Sequence, residues 1–308
     1  MANTFGKVSG TFEEIDEIYA KVSGTWEEVD EAYGKVSGVW KLVFSAFEAT
    51  SMQTLSSGSG TFSVPLQANA IHIQAAVGGG GGAVGGADYD KAGGESAGAG
   101  GGSGAFISDK IFSVTGGETL TYAVGSAGSG TGKGFNVNAS GGGTTTLSGS
   151  STGSVFILGG GGGSAGVNGG VKGPLRTNAA GTGGSAILGV ASITSGNFRD
   201  TDGTSKSVTT NTSGPDGTFN SSGDGVSGQN NGNCGGDNCR IGGSTGAASY
   251  DGNIAGGAGG SSSGAGTNGT AGTRGSGGGG GAAQVNGGST NGAAGGSGEI
   301  RYRFLKIN

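Results

Sequence analysis

Asp200 and Asp202, in the run NFRDTDGTS, come nearest to chemistry of any residues in this 308-residue chain. Two carboxyl groups flanking one bond are what glycoside cleavage requires. A DTDG turn also resembles the opening of a calcium loop, but the later ligands of such a loop, a terminal Glu above all, are absent. The preferred reading is plainer: a turn held by Asx hydrogen bonds. The single histidine, His72, lies far in sequence from Cys234 and Cys239 in NCGGDNCR. No metal site is therefore expected, nor a Ser-His-Asp or Cys-His arrangement. The cysteines read either as a local disulfide or as two free thiols. Near Lys133 the run AGSGTGKGF has Ala127 where a P-loop needs its first glycine and Gly134 where it needs a magnesium-binding Ser or Thr. No catalytic residue, metal or cofactor is expected, and the chain is not read as an enzyme.

Binding is better supplied. Residues 194–222 and 229–254 carry isolated aromatics, Arg, Asn and Asp on otherwise featureless loops, the composition that rigid scaffolds use to present contact residues. The candidate contacts are Asn197, Phe198, Arg199, Asp200 and Asp202 in the first stretch. Asn230, Asn231, Asn233, Asp237, Arg240 and Tyr250 are those of the second. The competing reading makes both stretches plain surface connections.

These loops must grow from something, and the field between Gly78 and Gly298 is the only scaffold long enough. Glycine supplies 80 of 308 residues, in runs such as AAVGGGGGAVGG, ILGGGGGSAGVNGG and RGSGGGGGAAQVNGG. Collagen is excluded by the missing Gly-X-Y period and by only three prolines. A flexible linker is the simplest alternative, but apolar stretches such as GAFISDKIFSV, TLTYAVG and SVFILGG recur between the runs. They read as anchors for packed polyglycine II helices, whose bare backbones approach closely enough to bond one another laterally. Strands are expected around Phe62–Val64 and Ile71–Ala75, separated by a Pro65 turn, with His72 on the surface. A hairpin is expected over 105–125 with a GGE turn, and further strands over 154–159 and 186–193. The ending GEIRYRFLKIN alternates Ile300, Tyr302 and Phe304 against charged residues. Its strand must pair with segments far earlier in the chain.

Residues 1–48 form a repeat of period 14: KVSG at Lys7, Lys21 and Lys35, followed by Phe12, Trp26 and Trp40. Helical spacing (Phe12, Ile15, Tyr19; Trp26, Val29, Tyr33) competes with a meander of short strands turning about every seven residues, and the meander is preferred. Such a small repeat must dock on something, so Phe12, Trp26, Tyr33 and Trp40 are the candidate assembly residues. Residues 49–60 read as a polar joint and 61–308 as the binding domain. The net charge of −5 with no basic stripe argues against nucleic acid. No stretch approaches the ~18 apolar residues of a membrane span, and the N-terminus lacks a signal-peptide core. Synthesis and assembly in a cytoplasm are expected, without membrane insertion. The fold class expected is all-β with polyglycine II helices: an N-terminal β-repeat module, then a glycine-rich β-sandwich with an inserted polyglycine II bundle.

TFSVPLQANAIHIQAAVGGGGG, FSVTGGETLTYAVGSAG, GGTTTLSGSSTGSVFILGGGGG and the terminal GSGEIRYRFLKIN together resemble the glycine-rich domain of bacteriophage tail-fibre proteins, over about residues 60–308. KVSGTWEEV and KVSGVWKLV are similar to short repeats preceding such domains in phage structural proteins. The resemblance implies a fibre-tip or fibre-associated adhesin, located in the virion tail fibre. Its partners would be a bacterial surface receptor, glycan or outer-membrane protein, and other fibre or virion structural proteins, with a homotrimer as one assembly. Some T-even-like phage adhesins stack polyglycine II helices and present variable loops at one end. The strand-first order is closer to a second plan, the jelly-roll with inserted polyglycine helices in the glycine-rich domain of certain animal receptor tyrosine kinases. The alternative function is a purely structural fibre or capsid-decoration subunit.

Overall fold

The computed structural model describes residues 5–8, 11–14, 18–29, 31–45, 47–85, 95–96, 98–132, 137–165, 180–208, 222–223, 233–234, 240–241, 246, 257–258, 268–280, 283–284 and 290–307. Among these the chain is all-β, antiparallel throughout and without a helix. The N-terminal repeat is three hairpins, each pairing strands within one repeat: Phe5–Val8 with Thr11–Glu14, Tyr19–Val22 with Thr25–Glu28, and Glu31–Val36 with Val39–Ser45. The turn chemistry decides this. Ser23-Gly24 (φ 51° and 94°) and Ser37-Gly38 (φ 52° and 82°) both place two consecutive residues at positive φ, the type I′ geometry that matches strand twist. Helical spacing of the aromatics is thus a by-product of the 14-residue period. Lys7, Lys21 and Lys35 stand opposite Phe12, Trp26 and Trp40, while Tyr19 and Tyr33 are exposed.

Residues 49–60, expected as a joint, are instead part of the fold. Ala49 is buried, and Gln53–Leu55 pairs with Ile300–Tyr302. Two five-stranded sheets follow. Sheet I runs in the order 222–223, 106–113, 70–77, 299–305, 53–55, and sheet II in the order 186–188, 153–158, 145–149, 119–123, 59–63. Ile71, Ile73, Ile107, Phe112, Ile300, Tyr302 and Phe304 of sheet I share one apolar cluster with Leu120, Leu147, Val155, Phe156 and Leu158 of sheet II. Alternation puts Ile71 with Ile73, and Ile300 with Tyr302 and Phe304, on one face of their strands, and Phe62 stacks on Tyr302 with ring centroids 4.6 Å apart. The terminal strand pairs with 70–77 and 53–55, the long-range closure that its alternation predicts.

The hairpin expected over 105–125 does not form. Phe106–Ser113 lies in sheet I and Thr119–Ala123 in sheet II, so the GGE turn is a corner that changes sheets. The Pro65 turn does the same for strands 59–63 and 70–77, and the two corners are stitched by Val64 N to Glu118 O and Gly117 N to Val64 O. Glu118 is buried beneath them and accepts bonds from the Thr115, Ser151 and Thr152 amides and from the Thr152 hydroxyl. Burial pushes its pKa up, but those four bonds together outweigh the desolvation and hold the carboxyl below its usual range.

Where apolar side chains run out, the strands continue without losing register. The ladder that pairs Val77 with Phe106 goes on as Gly78 N to Ala105 O and Gly81 N to Gly102 O. The ladder that pairs Val77 with Glu299 goes on as Gly80 N to Gly296 O and Ala83 N to Ala293 O. In sheet II, Thr145 opposite Leu158 leads to Gly142 N bonding Gly161 O and Ala139 N bonding Ser164 O. Along each of these extensions a given neighbour is bonded at every third residue. The other bonds cross between sheets: Gly79 N to Gly143 O, Gly82 N to Ser140 O, Gly161 N to Gly79 O and Gly128 N to Gly80 O. Segment 78–83 consequently bonds six others, donating to 102–105, 140–143 and 293–296 and accepting from 128–131, 161–164 and residue 278. Side chains hold facing sheets about 10 Å apart; without them the two layers close to direct backbone contact. Thr145 marks the transition. Fully buried, its hydroxyl donates to Val77 O (2.8 Å) in sheet I and accepts from Gly125 N (2.9 Å) beyond sheet II.

A Cβ on Gly81 would overlap the carbonyl oxygen of Gly162, whereas at Gly132 it would meet only the side-chain oxygen of Asn291 at 3.3 Å. Gly81→Ala is therefore expected to destabilise the fold by about 3 kcal/mol or more, and Gly132→Ala to leave the melting temperature nearly unchanged. Hydrogen exchange at Gly79–Gly82, whose amides are all bonded laterally, is expected to be among the slowest in the chain; exchange at loop rates would contradict the lattice. Thr145→Val leaves Gly125 N and Val77 O without their partner, a loss of about 2 kcal/mol measurable by denaturant titration.

Candidate functional site

The outward face of sheet I is charged. The hairpin Asn197–Arg199 with Ser205–Ser207 lies over it, turned by Asp200–Thr204. That turn has the expected Asx character: Asp202 accepts from the Thr204 amide and hydroxyl (3.0 and 2.6 Å), and Gly203 takes a positive φ of 76°. What it does with its other groups differs from expectation. Phe198, only 9% exposed, packs with Ala49, Ala70 and Leu305, and the Arg303 guanidinium sits 5.5 Å over its ring. Asp200, 8% exposed, is gripped by Lys206 Nζ and Arg303 Nη1, each at 2.6 Å. The expectation that these two residues are presented to solvent is thus corrected. Their apolar and ionic partners on sheet I outcompete water, and the hairpin is a cover for the sheet instead of a free loop.

Beyond Arg303 the network continues. Its Nε donates to His72 Nδ1 (3.2 Å), so the ring proton sits on Nε2, facing Asp109 Oδ1 at 2.6 Å. His72 does face away from Ile71 and Ile73, but its side chain is only 12% exposed because Arg303 and Asp109 flank it. It is a covered histidine, not a surface one. His72 is the strongest influence on Asp109, its hydrogen bond holding that carboxyl below the usual range.

Of the other candidate contacts, Asn197 is exposed and accepts from the Ser207 hydroxyl (2.9 Å), Asp202 is exposed on the turn, and Arg199 is half-buried near Glu48 (3.8 Å). Asn233 and Arg240 lie in two-residue strands pairing with Glu95–Ser96 and Ala283–Gln284. Asn230, Asn231, Asp237 and Tyr250 lie outside the described residues, as do Lys133 and Cys239, and with Cys239 the cysteine pairing. Sequence reasoning missed Arg303, Lys206 and Asp109. Alternation in EIRYRFL put Arg301 and Arg303 on one outward face, but nothing local told which loop would cover them.

Next to the network a cleft of about 350 Å³ opens on the same face, lined by Gln74–Val77, Ser108, Asp109, Arg274, Glu299 and Arg301. Glu299 is bridged by Arg301 Nε (2.6 Å) and Arg274 Nε (3.6 Å). This site has donors, acceptors and an alanine-valine floor, which suits reversible binding.

Antiparallel sheets that run on into laterally bonded glycine segments define an all-β, glycine-rich protein with a charged sheet face. The chain belongs to the family described as the glycine-rich domain, whose sequence profile covers residues 55–305. No curated protein matches it.

The Lys206 hydrogen bond foremost, against the cost of burial and with help from the Thr201 amide and Arg303, lowers the Asp200 pKa from 3.8 to about 2. Because the folded value is depressed, the contribution is complete above pH 3.8 and is lost as pH falls through 2. Asp200→Asn is expected to cost about 2 kcal/mol at neutral pH, the scale of hydrogen bonds to charged groups. The gap to the parent should shrink as pH drops from 4 to 2, as read by urea melts across that range.

Proposed function

We propose that this chain is a bacteriophage tail-fibre or fibre-tip adhesin, a virion protein that carries contact loops on a polyglycine II bundle continuous with a β-sandwich. The observation that carries the reading is the six-neighbour backbone bonding of segment 78–83. A scaffold held by its own backbone needs no side chains from the connecting loops, which are then free to vary with the target. Family membership over residues 55–305 agrees with a glycine-rich scaffold, and the order of strands and glycine runs resembles that of phage fibre domains. Under this reading the contacts fall on Asn197, Arg199 and Asp202 of the first stretch and on Asn230, Asn231, Asn233, Asp237, Arg240 and Tyr250 of the second. Residues 1–48 are the attachment module to another fibre subunit, or to further copies of the chain. Bacterial glycans and porin loops are hydroxyl-rich, and single contacts of about 1 kcal/mol reach useful adhesion when several copies act together.

One observation favours the second reading, a structural fibre or decoration subunit without receptor contact: Phe198 and Asp200 serve sheet I. The two are separated by labelling the purified chain and measuring adsorption to a panel of bacterial strains. The adhesin reading expects adsorption to some strains that falls at least several-fold when residues 229–232 are replaced by a Gly/Ser segment, with an unchanged melting temperature. Adsorption to none, with the chain found by immunogold away from the fibre tip, leaves the structural reading. Removing residues 1–47 is expected to abolish incorporation into particles while adsorption of the isolated chain persists.

A further inference from the structure

We propose that the cleft between Asp109, Arg274 and Arg301 binds one neutral hexose unit of a glycan; the inference rests on the adhesin reading and names its ligand class. Three irregularities of the backbone converge on this one place, two of them facing each other across one break in the ladder of strands 70–77 and 106–113. The first is a bulge: the pairing of strand 70–77 with strand 299–305 slips by one between Arg301 and Tyr302, leaving Gln74 as the extra residue. Bulges re-aim side chains beside binding sites. The second and third are Asp109 and Arg274, non-glycine residues at φ 54° and 42°. Among the described residues the only other such positions are Ser23 and Ser37 in the hairpin turns. A left-handed backbone is uncommon for non-glycine residues and persists where surrounding structure enforces it.

That enforcement is visible. The turn bearing Arg274 is closed by Ser276 N to Thr273 O and Thr273 N to Ser276 Oγ, and it is tied to the glycine lattice by Gly104 N to Gly275 O and Gly296 N to Ser276 O. Asp109 is held from the other side by His72. The charged groups are therefore presented on fixed backbone, as a preorganised site requires.

The chemistry selects the ligand. Arg274 and Arg301 balance Asp109 and Glu299, so the cleft has no net formal charge, and a polyanion would meet two carboxylates as well as two guanidinium groups. A neutral sugar uses both kinds: its hydroxyls donate to carboxylate and accept from guanidinium, the charge-assisted bonds that gain most. Ala75 and Val77 give the ring a methyl-lined floor, and about 350 Å³ stands near the lower end of small-ligand sites, roughly 300–1,000 Å³.

The test uses the full-length chain labelled with ¹⁵N and titrated with the methyl glycosides of glucose, galactose and mannose, with methyl glucuronoside as the charged comparison. Saturable amide shifts confined to Gln74, Ser108–Asp109, Arg274 and Glu299–Arg301 are expected for at least one neutral sugar. Asp109→Asn keeps a residue type that tolerates this backbone and can still accept from His72. It should weaken binding about tenfold, the loss of one hydrogen bond to a charged group, with the melting temperature preserved; Gln74→Ala should weaken it also. No saturable shift with any neutral sugar, shifts unaffected by both variants, or a preference for the glucuronoside would each overturn the proposal. Cell adsorption separates its failure from that of the adhesin reading. Adsorption equal in parent and Asp109→Asn sinks the cleft and leaves adhesion standing. Sugar shifts without adsorption to any strain sink adhesion and leave the cleft.

Discussion

Everything in this fold depends on one lateral bond, the glycine N–H that reaches the carbonyl of a neighbouring glycine segment. Each such bond adds only about 1 kcal/mol net, but its geometry is unforgiving, because the carbonyl occupies the place where a Cβ would stand. At Gly80, Gly81 and Gly161 the nearest neighbours are backbone atoms of Ser276, Gly162 and Gly102. At those positions the lattice therefore tolerates only bare backbone, and it satisfies buried polar groups that no sheet or helix reaches. Side-chain packing in the two sheets and backbone packing in the glycine region are two solutions to one problem, joined at Thr145. The hydroxyl there carries out in one side chain what the glycines beyond it accomplish by direct contact.

How much of this could be read from residues alone follows the range of the interactions involved. Strand positions at Ile71–Ala75 and Glu299–Leu305 follow from alternation, which is local. The Ser-Gly turns also carry local information, yet their recurrence every 14 residues mimicked helical spacing until both residues were seen at positive φ. Sheet membership was not legible. FSVTGGETLTY has every mark of a hairpin, and it becomes a corner because Phe112 and Leu120 enter the shared core from opposite sheets. The lattice was legible as a possibility from glycine content, but its partners were not, since any glycine run fits any other until the ladders at Val77 and Thr145 set the register.

The candidate site divides the same way. The Asx turn at Asp202 follows from three adjacent residues and was foreseen. The burial of Phe198 and Asp200 depends on Leu305 and Arg303, a hundred residues away in sequence, and could not be. Lone polar residues in glycine-rich loops look like contact residues because nothing nearby accounts for them. Here Phe198 and Asp200 are accounted for by a sheet face whose charge the alternation of the last strand completes.

The continuity of register from ladder to lattice has a consequence for how such chains change length over generations. Along a strand the pattern repeats every two residues, and along the glycine segments the same neighbour is met every three. Adding a single residue inside 78–83 would shift all that follows by one step of that three-residue pattern and hand each amide to the wrong neighbour. Adding three would restore every partner and merely lengthen the segment. Related chains should therefore differ in the interior of their glycine runs by triplets, and insertions of any other size should be confined to the tips where the chain reverses.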